Sequence, residues 1–216
     1  MQVKKYLVLG VLFILPLSMY MFFASGKDNF GRLPLLTENV NDVSNFLDIT
    51  GKPVTLQDKI TVLGFFGKNP IDQKASAFNL AHKIYKKNRE FQDFQFLFLV
   101  ENGTQNQVIK LKEQIGEIAD PEQWIFAFGT SENIDEVFNS LKTNYSLNSS
   151  FATSQVFIID KELNLRGRKQ DEDVGVLFGF DASDYSEINN KMGDDVKIIL
   201  AEYRLALKKY KADREI

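Results

Sequence analysis

Few residues in this chain could do chemistry, and one class is missing altogether. The stretch ITVLGFFGKNPIDQKASAFNLAHKIYKK, residues 60–87, runs an apolar strand into a short polar turn that opens a helix. In many proteins a junction of that kind carries a pair of cysteines, yet this chain contains no cysteine. That excludes a disulfide, a thiol nucleophile, a zinc–thiolate site and an iron–sulfur cluster. It also excludes thiol–disulfide exchange by the chain alone, because the attacking species is a thiolate. A soft cation such as copper(I) would need thiolate, thioether or imidazole. Past the N-terminal segment only His82 and Met192 offer these groups. His82 reads as a solvent-facing or partly packed helix residue. Met192 falls in an apolar helical stripe and reads as core.

The remaining polar clusters are no better equipped. DASDYSEINNKMGDD, residues 181–195, is rich in Asp and Asn. It lacks the alternating oxygen donors, central glycine and terminal glutamate of an EF-hand loop. Asp181, Ser183 or Asp184 fits better as a cap to the last helix. Ser149-Ser150 and Thr153-Ser154 have no histidine placed to serve as a base. Neither GxGxxG nor a P-loop is present. No catalytic, cofactor-binding or metal-binding residue is assigned, no cofactor is expected, and the chain reads as a non-enzyme. The formal net charge is −3 and the two signs are interspersed. Without a cationic face, nucleic acid is not an expected partner.

These residues need a scaffold, and the sequence supplies one. The composition, 44% hydrophobic and 25% charged, is that of a globular protein. Residues 1–27 begin with Lys4 and Lys5 and hold no charge from Tyr6 to Ala24. That stretch spans roughly 28 Å as a helix, close to the hydrocarbon thickness of a bilayer. It reads as a single membrane anchor with Pro16 inside. Ala24-Ser25-Gly26 also resembles a cleavage site, so a removed signal peptide and a secreted protein is the alternative. Lys4 and Lys5 keep the N-terminus in the cytoplasm and place the rest on the outer, periplasmic side of the cytoplasmic membrane. Residues 28–45 read as a polar linker, 46–210 as one domain, and 211–216 as a charged tail.

Within that domain, residues 46–59 flank Gly51-Lys52-Pro53 with apolar pieces and predict a hairpin. Buried strands are predicted at 60–67, 91–100 and 124–129, each followed by an amphipathic helix. The helix stripes are Ala77, Leu80, Ala81 and Ile84, then Val108, Leu111, Ile115 and Ile118, then Ile134, Val137, Phe138 and Leu141. Thr104 and Thr130 or Ser131 are candidate caps. A second hairpin is predicted from strands 155–159 and 163–168. Residues 174–180 are open between a strand, a packed loop and an exposed contact patch. A last helix is predicted over 186–209. Alternating β and α elements argue for a mainly parallel sheet with helices on both faces, closed by an antiparallel hairpin. The fold class is therefore α/β. It is a thioredoxin-like central mixed sheet flanked by helices, with an N-terminal β-hairpin extension and a single N-terminal transmembrane helix.

Three stretches in this order resemble the Sco/SenC family of membrane-anchored, thioredoxin-fold copper proteins that help assemble cytochrome c oxidase. They are FLDITGKPVTLQDKITVLGFFGKNP, PEQWIFAFGTSENIDEVFNSLKTNY and VFIIDKELNLRGR. The resemblance spans residues 46–207. That family places a CPxxxCP-like motif after the central strand and a distant histidine before the hairpin strand. On this chain the first cysteine position falls on Asn69, followed by the matching Pro70. The second falls on Gln73, with Lys74 where proline is usual, and the histidine position falls near Ala152. Every ligand the family implies is absent. The resemblance implies a protein partner in the cell envelope, a respiratory oxidase or its assembly factors, met through Gly67, Lys68, Asn69 and Phe151. Two other readings stay open: metal or redox chemistry with unconventional ligands or a partner's thiols, and a structural envelope protein unrelated to respiration.

Overall fold

Apolar residues two apart on strands and three or four apart on helices decide this architecture. The structure, a computed structural model, describes residues 2–25 and 31–212. Helix α1 (Gln2–Ser25) forms a unit by itself. Its segment Lys4–Phe22 is long and apolar enough to cross a membrane and is 0% buried against protein. The second unit begins at Arg32. It opens with β1 (Leu35–Thr37) and β2 (Ile60–Gly67). Helix α2 (Lys74–Leu80) continues through a π turn into α3 (Lys86–Asn88). Then come β3 (Phe94–Glu101), α4 (Gln105–Gly116), β4 (Trp124–Gly129) and α5 (Ser131–Ser140). Next are β5 (Gln155–Ile159), β6 (Leu165–Arg166), β7 (Arg168–Asp171), β8 (Gly175–Leu177) and β9 (Phe180–Asp181). A short α6 (Tyr185–Glu187) and another π turn lead into α7 (Gly193–Ala212).

One sheet takes the order β1-β6-β5-β2-β3-β4, with β9 also on β5. β2, β3 and β4 are parallel, whereas β5 joins β2 antiparallel. β7 and β8 form a separate two-stranded sheet. β2 is buried along its whole length because it lies between β3 and β5 and is covered on both faces. Val62 and Phe66 point to one face, with Phe96, Phe98, Trp124 and the stripes of α2, α4 and α7. Leu63 and Phe65 point to the other, with Leu97, Leu99, Phe157 and the stripe of α5. That alternation is the period of a strand set between two helical layers.

Several expectations need correction. Residues 32–45, read as linker, belong to the folded unit: Leu33, Val40 and Val43 are buried and β1 joins the sheet. Residues 26 and 27 of the expected anchor and 28–30 of the expected linker lie outside the described residues, as do 213–216 of the expected tail. The hairpin over 46–59 is a tight turn with a single bridge between Leu47 and Pro53. Asp48 sets it, its carboxylate accepting from the amides of Thr50 (2.8 Å) and Lys52 (2.9 Å). Leu47 also bridges to Phe128 on the outer side of β4. The strand expected over 163–168 shrinks to β6, because Leu163 takes a left-handed φ of 62° and the turn at Asp160 runs on to Asn164. The strand expected from Phe91 begins at Phe94. Thr104 precedes α4 but makes no side-chain cap, its hydroxyl donating instead to Glu101 O at 2.8 Å. Thr130 does cap α5, accepting from the Asn133 amide.

Two polar clusters fasten the last helix. Arg166 is buried and donates to Leu33 O (2.8 Å), Asp160 (3.1 Å) and Glu202 (2.8 Å). Arg168 is bidentate on Asp195, while Lys191 pairs with Asp171 (2.7 Å) and Asp173 (2.6 Å). The hydrogen bond from Lys191 holds the Asp171 carboxyl below the usual carboxylate range. Asp171, and then Asp173, push Lys191 up to about 12. The stability this pair contributes is therefore complete at neutral pH. It drains away as pH falls through the lowered Asp171 value, and at the alkaline end as pH rises through about 12. Urea unfolding between about pH 2 and pH 5 should show a flatter acid dependence in Asp171→Asn than in the parent chain. Equal slopes in the two proteins would contradict that assignment.

Candidate functional site

The end of β2 is built against a loop more than eighty residues away in sequence. Gly67 has a φ of 56°, in the region that side chains avoid. A Cβ there would lie 1.9 Å from Ser150 O and 2.6 Å from Phe151 O. Lys68 N donates to Ser150 O at 2.9 Å, and Thr153 N donates to Phe65 O at 3.0 Å. The far loop is closed by Asn148, whose side-chain oxygen accepts from Ser150 N (2.8 Å) and Ala152 N (3.1 Å). Phe151 takes a left-handed φ of 55°, and the Lys68 ammonium lies 4.9 Å from its ring centroid. That distance suits a cation–π contact.

The family-motif positions fall around this clasp. Asn69 is exposed and precedes a 3-10 turn, Pro70–Gln73, without a side-chain cap bond. Pro70 occupies the first position of that turn, where a missing N–H costs nothing, and is buried. Gln73 is half-buried at the start of α2. Ala152 is 3% exposed, in the loop that Asn148 holds. The structure thus brings Gly67, Lys68 and Phe151 into contact, with Asn69 next in the chain. Glu132, exposed at the start of α5, is held below the usual carboxylate range. The causes are its own backbone N–H, then the Thr130 hydroxyl, with a smaller contribution from the Lys68 charge.

The donor set does not fit copper. Asn69 and Gln73 carry neutral amides and Ala152 a methyl group, none of which holds a soft cation. His82 is exposed on the π turn after α2, and Met192 is fully buried in the core cluster under α7. Among the described residues no group of three or more His, Asp or Glu is placed to hold a metal ion. Sequence reading missed the clasp itself. Ser150 was legible only as a loop hydroxyl, although its carbonyl makes the contact. The one local signal was Asn148 two residues before Ser150, the spacing of an Asx turn.

A parallel β2-β3-β4 core extended by the antiparallel β5-β6 pair, with helices on both faces and a strand-turn-helix junction at the end of β2, defines a thioredoxin-like α/β domain. No protein-family model matches the sequence, and no curated protein does. Among solved structures the chain is similar to a candidate electron transfer protein of Aquifex aeolicus VF5. The identity is 14% and the TM-score 0.50, over 77% of this chain and 97% of that one. It is also similar to copper-bound ScoI of Arabidopsis thaliana, at 17% identity and TM-score 0.46, over 73% and 97% of the two chains. The soluble domain of Sco1 from Bacillus subtilis matches at 14% and 0.45, over 79% and 95%. The fold stands on the strand order and on the first of these matches, and likeness at such identity says nothing of activity.

Gly67→Ala should cost about 2–4 kcal/mol, from left-handed strain plus the clash with Ser150. Asn69→Ala should stay within about 0.5 kcal/mol. Chemical denaturation of both variants checks the contrast, and a neutral Gly67→Ala would contradict the clasp.

Proposed function

We propose that the chain is a membrane-anchored binding or assembly module of the cell envelope that performs no redox or copper chemistry of its own. One observation carries the reading. The junction after β2 keeps its shape through backbone contacts to Ser150 and Phe151, while the side chains around it, Asn69, Gln73 and Ala152, cannot bind a soft metal or exchange a disulfide. Such a surface works by contact. Lys68 over Phe151, with Asn69 beside it, offers a cation, an aromatic face and an amide to a partner protein. Helix α1 serves as the anchor, and Lys4 and Lys5 keep its start in the cytoplasm, so the domain faces outward. The likeness of three sequence stretches to the Sco/SenC family points to respiratory oxidase assembly as the setting.

Photo-crosslinking from position 68 in native membranes, with metal analysis of the same purified full chain, tests this reading. The expected result is a covalent adduct with an envelope protein of respiratory or metal handling, and copper well below one per chain. Stoichiometric copper, or reduction of a protein disulfide by the chain alone, would overturn it.

A further inference from the structure

The two ends of the main sheet are finished differently. Outside β4, the chain after Phe46 adds a bridge, with Leu47 N donating to Phe128 O at 3.1 Å and Phe128 N to Leu47 O at 2.8 Å. At the other end, among the described residues, β1 pairs with β6 alone. A groove of about 910 Å³ lies along this end, lined by Leu35, Leu36, Val176 and Phe178, with Lys142 and Lys169 among its polar residues. Leu35 is 36% exposed and Val176 40%. Val176 belongs to β8, which among the described residues likewise pairs on one side only, with β7. β1 and β8 are each three residues long and flanked by lysines, features that limit indiscriminate edge pairing, so an added strand here must be short and match that charge.

The groove also carries charge that is not paired within the domain, as is common on this surface, where Lys59, Lys161, Lys191 and Lys197 have carboxylate partners and most other described lysines do not. Lys142 and Lys169 are exposed, and among the described residues neither ammonium group has one. Lys142 takes a left-handed φ of 53° just past the end of α5, which fixes where its side chain leaves the backbone. One acid, Glu38, lines the same groove, so the lining carries a net positive charge.

We propose that this groove takes an extended polypeptide segment of a partner, added as a strand beside β1, whose apolar side chains face Leu35, Leu36, Val176 and Phe178 while its carboxylates meet Lys142 and Lys169. Strand addition gains its affinity from main-chain hydrogen bonds and its selectivity from alternate side chains. The surface shares no residue with the one around Gly67 and Phe151, so either can fail without the other.

The full chain in detergent micelles is titrated into a short fluorescein-labelled peptide alternating glutamate and valine, with fluorescence anisotropy as readout. Lysine–valine and glutamate–glycine peptides serve as comparisons, and empty micelles as the blank. The glutamate–valine peptide should bind best. Lys142→Glu with Lys169→Glu should weaken it about tenfold and favour the lysine–valine peptide, with salt reducing both effects. Both side chains are exposed and, among the described residues, neither ammonium group makes a hydrogen bond or ion pair, so the thermal melt of the double variant should match the parent. Equal binding of the acidic and basic peptides, or no loss on charge reversal, would overturn the proposal. So would lysine-dependent binding to phosphatidylserine vesicles without peptide binding, or self-association of the chain that occupies the groove in place of peptide.

Discussion

The close approach of Gly67 to the carbonyls of Ser150 and Phe151 is the constraint on which the rest of the structure depends. It ties the C-terminal end of the central strand to the loop that feeds β5, and so brings together two halves of the chain that are remote in sequence. Only glycine meets both demands at position 67, a left-handed backbone and room for a carbonyl less than 2 Å from where a Cβ would stand. With that contact in place, β5 lies antiparallel on β2 in register from Thr61 with Ile159 to Gly64 with Val156. β6 then follows β5, and Arg166 joins Leu33, Asp160 and Glu202, which draws the start of the domain and its last helix onto the same edge. None of these steps uses sulfur or metal.

Much of this was legible in the sequence, and the reason is periodicity. The stripes Val108, Leu111, Ile115 and Ile134, Val137, Phe138, Leu141 are buried as their spacing demands. The runs 60–67 and 124–129 are strands at their expected bounds, because a strand covered on both faces reads as an unbroken apolar run. Local chemistry failed where a tertiary contact competed with it. Residues 46–59 look like a hairpin, but Pro53 cannot donate and Leu47 is shared with Phe128, so one bridge forms. Residues 32–45 look like a linker because Leu33, Val40 and Val43 are too widely spaced to show a period, yet each is buried. At the candidate site, the absence of cysteine, and of histidine near position 152, was plain from residue types alone. The clasp was not, since a carbonyl carries no signature in the sequence.

The junction after β2 is held by its core and backbone rather than by any reactive side chain it presents. Sulfur ligands contribute reactivity, whereas the strand-turn-helix that would present them is built from Phe65, Phe66, Pro70 and Leu80, all of them buried. The core therefore holds the junction without any sulfur ligand. What remains is a rigid corner with Lys68 and Phe151 on its surface, and a binding role needs no more than that. The unpaired edge at β1 belongs to the same pattern, in which the main chain rather than a reactive side chain makes the contact.

Amide hydrogen exchange of Lys68 and Thr153 in the full chain, without copper or thiol present, tests most directly whether backbone contacts alone hold the junction. The account predicts protection comparable to that of neighbouring amides in β2 and β3, unchanged when copper(I) is added. Exchange at the rate of an open loop, or protection that develops only with copper, would contradict it.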